Sequence, residues 1–248
     1  MINLVIDIGN TRTKVALFNN HQISGLNIFE SFTAKVLAEI LKVNKIDRAI
    51  ISSVNAEITE LEEYLKTEVS YIRFHSGVPL KINNQYKTPA TLGLDRLAAV
   101  IGAEALYPGR NVLIIDAGTC ITYDFIDKDK KYSGGSISPG IEMRLKAMHH
   151  FTQRLPLVEP DFTFESGWGD ETRSAILSGA QNGVFYESLG FIKSYSEKYS
   201  DLEVILCGGD SKFFDTRLKN SIFAPAVKSE PHLVLIGLNE VIHQHTND

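Results

Sequence analysis

Two short segments place an acid, a glycine and hydroxyl residues at matched spacing: Asp7-Ile8-Gly9-Asn10-Thr11-Arg12-Thr13-Lys14 and Asp116-Ala117-Gly118-Thr119-Cys120-Ile121-Thr122. Glycine lets backbone approach a ligand closely and adopt positive φ. The neighbouring N–H groups and threonine hydroxyls can then bond phosphate oxygens. The acid itself repels phosphate, so it suits such a turn only with a cation such as Mg²⁺ between the two charges. One copy alone reads as an ordinary hairpin turn. Two copies, each after an apolar strand, point to a nucleotide clamp.

A third segment runs Tyr86-Lys87-Thr88-Pro89-Ala90-Thr91-Leu92-Gly93-Leu94-Asp95-Arg96. Leu94, Leu97, Ala98, Ile101 and Ala105 form a helical stripe, so the segment opens a buried helix. Either Thr88-Pro89 or Thr91 is expected to cap it. Asp95 and Arg96 lie in its first two turns, beside the stripe. An acid there can take the proton of a hydroxyl, with the helix N-terminus and Arg96 both favouring its ionised form. The bland reading is a helix-start ion pair at the surface.

Two further glycine turns join strands to helices. Gly208-Gly209-Asp210 can hold a flat ring or a phosphate against backbone, and Gly134-Gly135-Ser136-Ile137-Ser138-Pro139-Gly140 offers amides in the same way. Either is equally a tight connection. No metal-ligand constellation is present, and His149-His150 reads as a helix end. The G-x-S-x-G, P-loop and G-x-G-x-x-G patterns are absent, so a nucleotide site here belongs to another class.

These residues need an interleaved scaffold. Apolar runs predict strands at Ile2–Ile6, Lys14–Phe18, Gln22–Phe29 and Arg48–Ser52, with helices at Ala34–Leu41 and Ile58–Lys66, an α/β pattern. The stretch from Asn111 to Ile126 repeats the opening strand–turn–strand, Asp7 matching Asp116, Gly9 matching Gly118 and Thr13 matching Thr122, and continues to a third strand at Tyr132–Ser138. Two similar halves facing each other across a cleft follow, 1–110 and 111–248, with the boundary at the Tyr107-Pro108-Gly109 turn. The second half adds a helix at Gly140–His149, a long helical stretch from about Glu171 to Tyr199, a strand at Glu203–Cys207, a helix near Lys212–Leu218 and a last helix from about His232. Gly179 and Gly183 interrupt the long stretch. They suit either a break into two helices or the close approach of another helix.

The 248 residues are 44% apolar and 22% charged, ordinary values for a globular chain with a sizeable core. Twenty-five basic against thirty acidic residues give a net charge of −5, without the basic stripe of a nucleic-acid binder. No apolar run approaches a membrane span. The N-terminus has neither a basic leader nor a long apolar run, and Cys120 and Cys207 lack a partner spacing. A cytoplasmic protein is expected, with no nucleic-acid or membrane partner.

DIGNTRTK from Asp7, Tyr86, GLDR from Gly93, DAGTCIT from Asp116, GGSISPG from Gly134 and the segment from Thr172 to Gly179 occur in that order. Together they resemble the type III pantothenate kinases of the actin-like, sugar-kinase and Hsp70-type ATPase superfamily, from residue 1 to about Leu238. The Asp-x-Gly turns are common to the superfamily; GLDR followed by DAGT and GGSISPG at these spacings carries the specificity. The resemblance implies two ribonuclease-H-like α/β halves with ATP between them. It implies phosphorylation of pantothenate to 4′-phosphopantothenate, the first step towards coenzyme A. ATP would be bound by Asp7, Ile8, Gly9, Asn10, Thr11, Arg12, Thr13, Lys14 and Thr119. Pantothenate would be bound by Tyr86, Gly93, Leu94, Asp95, Arg96 and Thr172, with Asp95 as proton acceptor. Asp116 would hold a monovalent cation, K⁺ or NH₄⁺, Mg²⁺ would accompany ATP, and the enzyme would be a homodimer. Cys120 and Ile236 depart from the family pattern, away from the catalytic group. The alternatives are another small-molecule kinase of the superfamily, which would need sugar-binding clusters of Asn, Asp and Glu, and a non-enzymatic ATP-binding regulator, which would not need Asp95.

Overall fold

A computed structural model describes residues 1–53 and 58–245. In chain order the elements are β1 (Ile2–Ile8), β2 (Thr13–Asn19), β3 (Gln22–Phe29), α1 (Ala34–Val43), β4 (Arg48–Ser53), α2 (Thr59–Glu68), β5 (Ser70–Arg73), β6 (Asn83–Asn84), α3 (Leu94–Leu106), β7 (Asn111–Ala117), β8 (Cys120–Ile126) and β9 (Lys131–Pro139). They continue with α4 (Ile141–His150), α5 (Thr172–Leu177), α6 (Gly183–Ser196), β10 (Leu202–Cys207), α7 (Ser211–Leu218), β11 (Val227–Ser229) and α8 (Leu233–Gln244). The chain divides into two compact units. The first comprises 1–108, 130–133 and 232–248, the second 109–129 and 134–231.

The first unit is built on a sheet of order β3-β2-β1-β4-β5. β1 is antiparallel to β2 and parallel to β4. The central strands β1 and β4 are covered on both faces, hence their near-continuous apolar runs, while the edge strands β3 and β5 are partly exposed. Leu4, Ile6 and Ile8 point to the layer containing Leu37 of α1 and Leu61 and Leu65 of α2. Alternate residues face the other way, where the buried Asn3 donates from Nδ2 to Asn239 Oδ1 of α8 at 2.8 Å. On that side α3 and α8 cross backbone against backbone. A Cβ on Gly102 would lie 2.5 Å from the Leu233 carbonyl, and one on Gly237 would overlap the Ala98 carbonyl. The last helix therefore completes the first unit, and the expected second half of 111–248 ends instead at Pro231.

The second unit repeats the plan. Its sheet has the order β11-β10-β7-β8-β9-β6, with β7 antiparallel to β8 and parallel to β10. Leu113, Ile115 and Ala117 of β7 pack with Ile121 and Tyr123 of β8 against Leu145 of α4, Leu177 of α5, Val184 of α6 and Phe214 of α7. Five strands follow the same order in both sheets once β1, β2, β3, β4 and β5 are matched to β7, β8, β9, β10 and β11, so the repeat seen in two turns extends to five strands, and β6 is the addition. Residues Thr172 to Ser196 form one uninterrupted helical run, because Ser178–Asn182 winds as a π-helical turn between α5 and α6. The two glycines thus do not break the helix. A Cβ on Gly179, Gly183 or Gly190 would meet nothing within 4 Å.

Candidate active site

In the first unit β1 runs through Asp7 to Ile8, so the acid lies in the strand and not in the turn. Asp7 pairs in register with Lys14 across the hairpin and with Ser52 of β4. The turn itself is Gly9–Arg12, closed by the Gly9 N–H donating to the Arg12 carbonyl at 3.1 Å. Asn10, Thr11 and Arg12 are exposed, while Thr13 is buried. A cavity of about 240 Å³ opens beside them, with Glu30, Phe32, Ile58 and Leu61 on its other wall. Glu30 and Phe32 carried no sequence signal.

The same unit holds the Tyr86 segment. Pro89–Thr91 forms a single 3₁₀ turn, and the residue capping α3 is Gly93, not Thr88 or Thr91. The threonines bond each other instead, Thr91 Oγ1 lying 2.9 Å from Thr88 Oγ1. Gly93 caps without a side chain, which leaves room for the exposed Asp95 carboxylate. Its Oδ1 accepts the Arg96 N–H at 2.8 Å. Arg96 is buried, and its guanidinium carbon stands 5.6 Å from the centre of the Tyr86 ring. That ring lies 6.3 Å from the buried Tyr132 ring at an interplanar angle of 10°. Asp7–Lys14, Tyr86, Gly93, Leu94, Asp95 and Arg96 therefore belong to one unit.

Asp116, Thr119 and Thr172 belong to the other. Asp116 pairs in register with Thr122 and with Cys207. The turn after it is closed by the Gly118 N–H donating to the Cys120 carbonyl at 3.0 Å. Both glycine segments singled out in the sequence converge on this turn. Gly208 has φ of +87°, and any Cβ there would overlap the Ala117 carbonyl and an Asp116 carboxylate oxygen. The Asp210 N–H donates to the Ala117 carbonyl at 2.9 Å, and the Gly140 N–H to the Thr119 carbonyl at 3.0 Å. A Cβ on Gly140 would overlap the Gly118 carbonyl. Asp210 is half-buried, and burial, with Glu142 nearby, raises its carboxyl above the ordinary value.

Beyond Gly209 and Asp210 lies a cavity of about 570 Å³ walled by Phe162, Phe164, Phe213 and Arg217. The Arg217 guanidinium carbon sits 4.4 Å from the Phe213 ring centre, while Nη1 donates to Asn182 Oδ1 at 2.8 Å and Nη2 to the Phe164 carbonyl at 2.9 Å. Nothing in the sequence pattern marked these aromatics. Thr172 is exposed in the first turn of α5. Glu171 and Ser174 box that turn, Ser174 Oγ accepting the Glu171 N–H at 3.1 Å.

The model of the family described as type III pantothenate kinase matches residues 3–198. The chain belongs to the type III pantothenate kinase family. A relative of that name from Christiangramia forsetii is 46% identical over 243 residues, covering 97% of this chain and 98% of the relative. One from Bacteroides fragilis (strain ATCC 25285) is 42% identical over 244 residues, covering 98% of each. Enzymes of this name are kinases whose acceptor is an alcohol. Among solved structures, a ROK family glucokinase from Streptomyces griseus in complex with glucose and AMPPNP aligns with a TM-score of 0.52 at 12% identity, over 98% of this chain and 100% of that one. An activator of the 2-hydroxyisocaproyl-CoA dehydratase from Clostridium difficile aligns at 0.55 and 12% identity, over 100% and 98%. These likenesses carry the fold alone, the two-sheet architecture of the actin-like ATPases and sugar kinases.

Proposed function

We propose that this chain transfers the γ-phosphoryl group of ATP to the primary hydroxyl of pantothenate, giving 4′-phosphopantothenate for coenzyme A synthesis. Family membership supports the reaction. The observation that carries the catalytic assignment is the exposed Asp95 carboxylate, left uncovered by Gly93 at the start of α3 beside the Arg96–Tyr86 stack.

Asp95 takes the proton of the attacking hydroxyl as its oxygen bonds phosphorus. Such a step is worth about 10²–10⁴-fold in rate. Tyr86, Gly93, Leu94 and Arg96 hold pantothenate, together with Thr172. Asp7 to Lys14 and Thr119 hold the phosphates of ATP through turn amides and hydroxyls, and most of the remaining catalysis is positioning and charge neutralisation. The nucleotide base occupies the aromatic cavity next to Gly209.

Among the described residues no group of three or more His, Cys, Asp or Glu is placed to hold a metal. Mg²⁺ would accompany ATP, supplying neutralisation of phosphate charge. Asp116, at the end of β7, would hold the monovalent cation, K⁺ or NH₄⁺, through its carboxylate. The enzyme works as a two-fold dimer joined along the helix from Thr172 to Ser196, with Thr172 reaching the partner's pantothenate. A cytoplasmic location belongs to the same reading; no helix among the described residues is long and apolar enough to cross a membrane. Formation of 4′-phosphopantothenate by the purified protein, assayed across candidate acceptors, tests the reading. Phosphorylation of a sugar but not of pantothenate would sink it.

A further inference from the structure

Arg144, in the first turn of α4, is absorbed by none of the roles above, yet its guanidinium makes three hydrogen bonds to groups on two other elements. Nε donates to the Pro139 carbonyl at 2.8 Å, and Nη2 donates to Ser138 Oγ at 2.7 Å and to Glu187 Oε2 at 2.6 Å. Glu187, on α6, is fixed in turn. Its Oε1 accepts the Tyr123 hydroxyl at 3.1 Å, and that hydroxyl lies 2.9 Å from the buried Ser188 Oγ. Arg144 and Glu187 side chains are only 22% and 27% exposed. The pair is thus shielded and multiply bonded, unlike a surface ion pair.

What the guanidinium holds is the end of β9. Pro139 leads directly into Gly140, whose N–H bonds the Thr119 carbonyl and whose α-carbon has no room for a side chain against Gly118. A shift of the Ser138–Gly140 backbone is therefore passed to the turn at Gly118–Thr119 through contact between main chains. Packed backbones of this kind transmit displacement because they cannot compress. A lysine at 144 carries the same charge but lacks the planar fork that reaches a carbonyl, a hydroxyl and a carboxylate together.

We infer that Arg144, braced by Glu187, is a positioning residue for the second phosphate turn, setting the affinity for ATP through Ser138–Gly140. The inference rests on the reading that Thr119 contacts ATP. Steady-state kinetics with each substrate varied, and calorimetric titration with MgATP, test it on the full-length protein. Arg144→Ala is expected to raise KM for ATP about tenfold, the scale of one charged hydrogen bond, with KM for pantothenate within about twofold of wild type. Arg144→Lys should recover part of the loss. Glu187→Gln, which keeps shape and removes the charge, should move KM for ATP in the same direction, and it stands in if the alanine variant does not fold. An unchanged KM for ATP in these variants, or equal rises in both KM values, would overturn the inference. If wild-type protein does not bind MgATP, the reading of the phosphate turn fails instead. If wild type binds and the variants bind as tightly, only the role of Arg144 fails.

Discussion

Gly93 and Asp95 exclude one another's bulk: a Cβ on Gly93 would lie 2.5 Å from Asp95 Oδ1. The carboxylate folds back over the residue that caps its own helix and accepts the Arg96 N–H there. A cap of any other type would have to displace the proposed base.

Asp95→Asn should keep the fold and ATP binding while turnover falls about 10²–10⁴-fold. Gly93→Ala should mimic it through geometry alone. A misplacement of about 1 Å can cost about 10²-fold, while the unfolding temperature should barely move. Normal pantothenate phosphorylation by Asp95→Asn would remove that residue from the role of base.

Asp210 gives a stability signature with a definite sign. Burial raises its folded-state carboxyl above 3.8, the value expected for the unfolded chain. Its contribution is thus fully present below pH 3.8 and is lost as pH rises through the higher folded value. Asp210→Asn should therefore raise Tm at pH 7, with the gain shrinking towards zero in acid. A lower Tm at pH 7, measured without ligand, would show that the charge is compensated in the folded state.

For Gly179 the two readings of the long helix diverge. Within the subunit a side chain there meets open space, and replacing a helical glycine stabilises by about 1 kcal/mol. Gly179→Leu should therefore leave the subunit folded, or firmer, while sedimentation shifts from dimer to monomer and activity falls. A variant that stays dimeric and active would place the subunit contact elsewhere.

Asp116 carries the prediction for the monovalent cation. Rates in K⁺ or NH₄⁺ should exceed those in Na⁺ at equal ionic strength, and Asp116→Asn should abolish that difference. Matching rates in the three salts for the wild-type protein would dismiss the monovalent site.

The strand–turn–strand repeat was legible in sequence because it is local: an apolar run, an Asp-x-Gly turn and a second run are all within twenty residues. Asp95 was legible too, since helical spacing fixes its place relative to Leu94 and Leu97. The cap was not, because Gly93 acts by what it lacks. Gly140 and Gly208 looked like ordinary connections; their meeting at Gly118 and Asp116 depends on where β9 and β10 enter the sheet, a long-range fact. The π-helical turn that carries the helix past Gly179 left no period to read. Arg217 and its aromatic neighbours were hidden for a related reason, because Phe162 and Phe164 come from a loop without periodicity.

The crossing of Gly102 and Gly237 has a consequence for biosynthesis. Every element of the second unit leaves the ribosome before α8 does, so the unit bearing Asp116 can close while the one bearing Asp7 and Asp95 still lacks part of its core. Completion of the first unit therefore waits on the synthesis of the last helix. During that interval the apolar face of α3, from Leu97 to Ala103, has yet to meet the helix that packs against it.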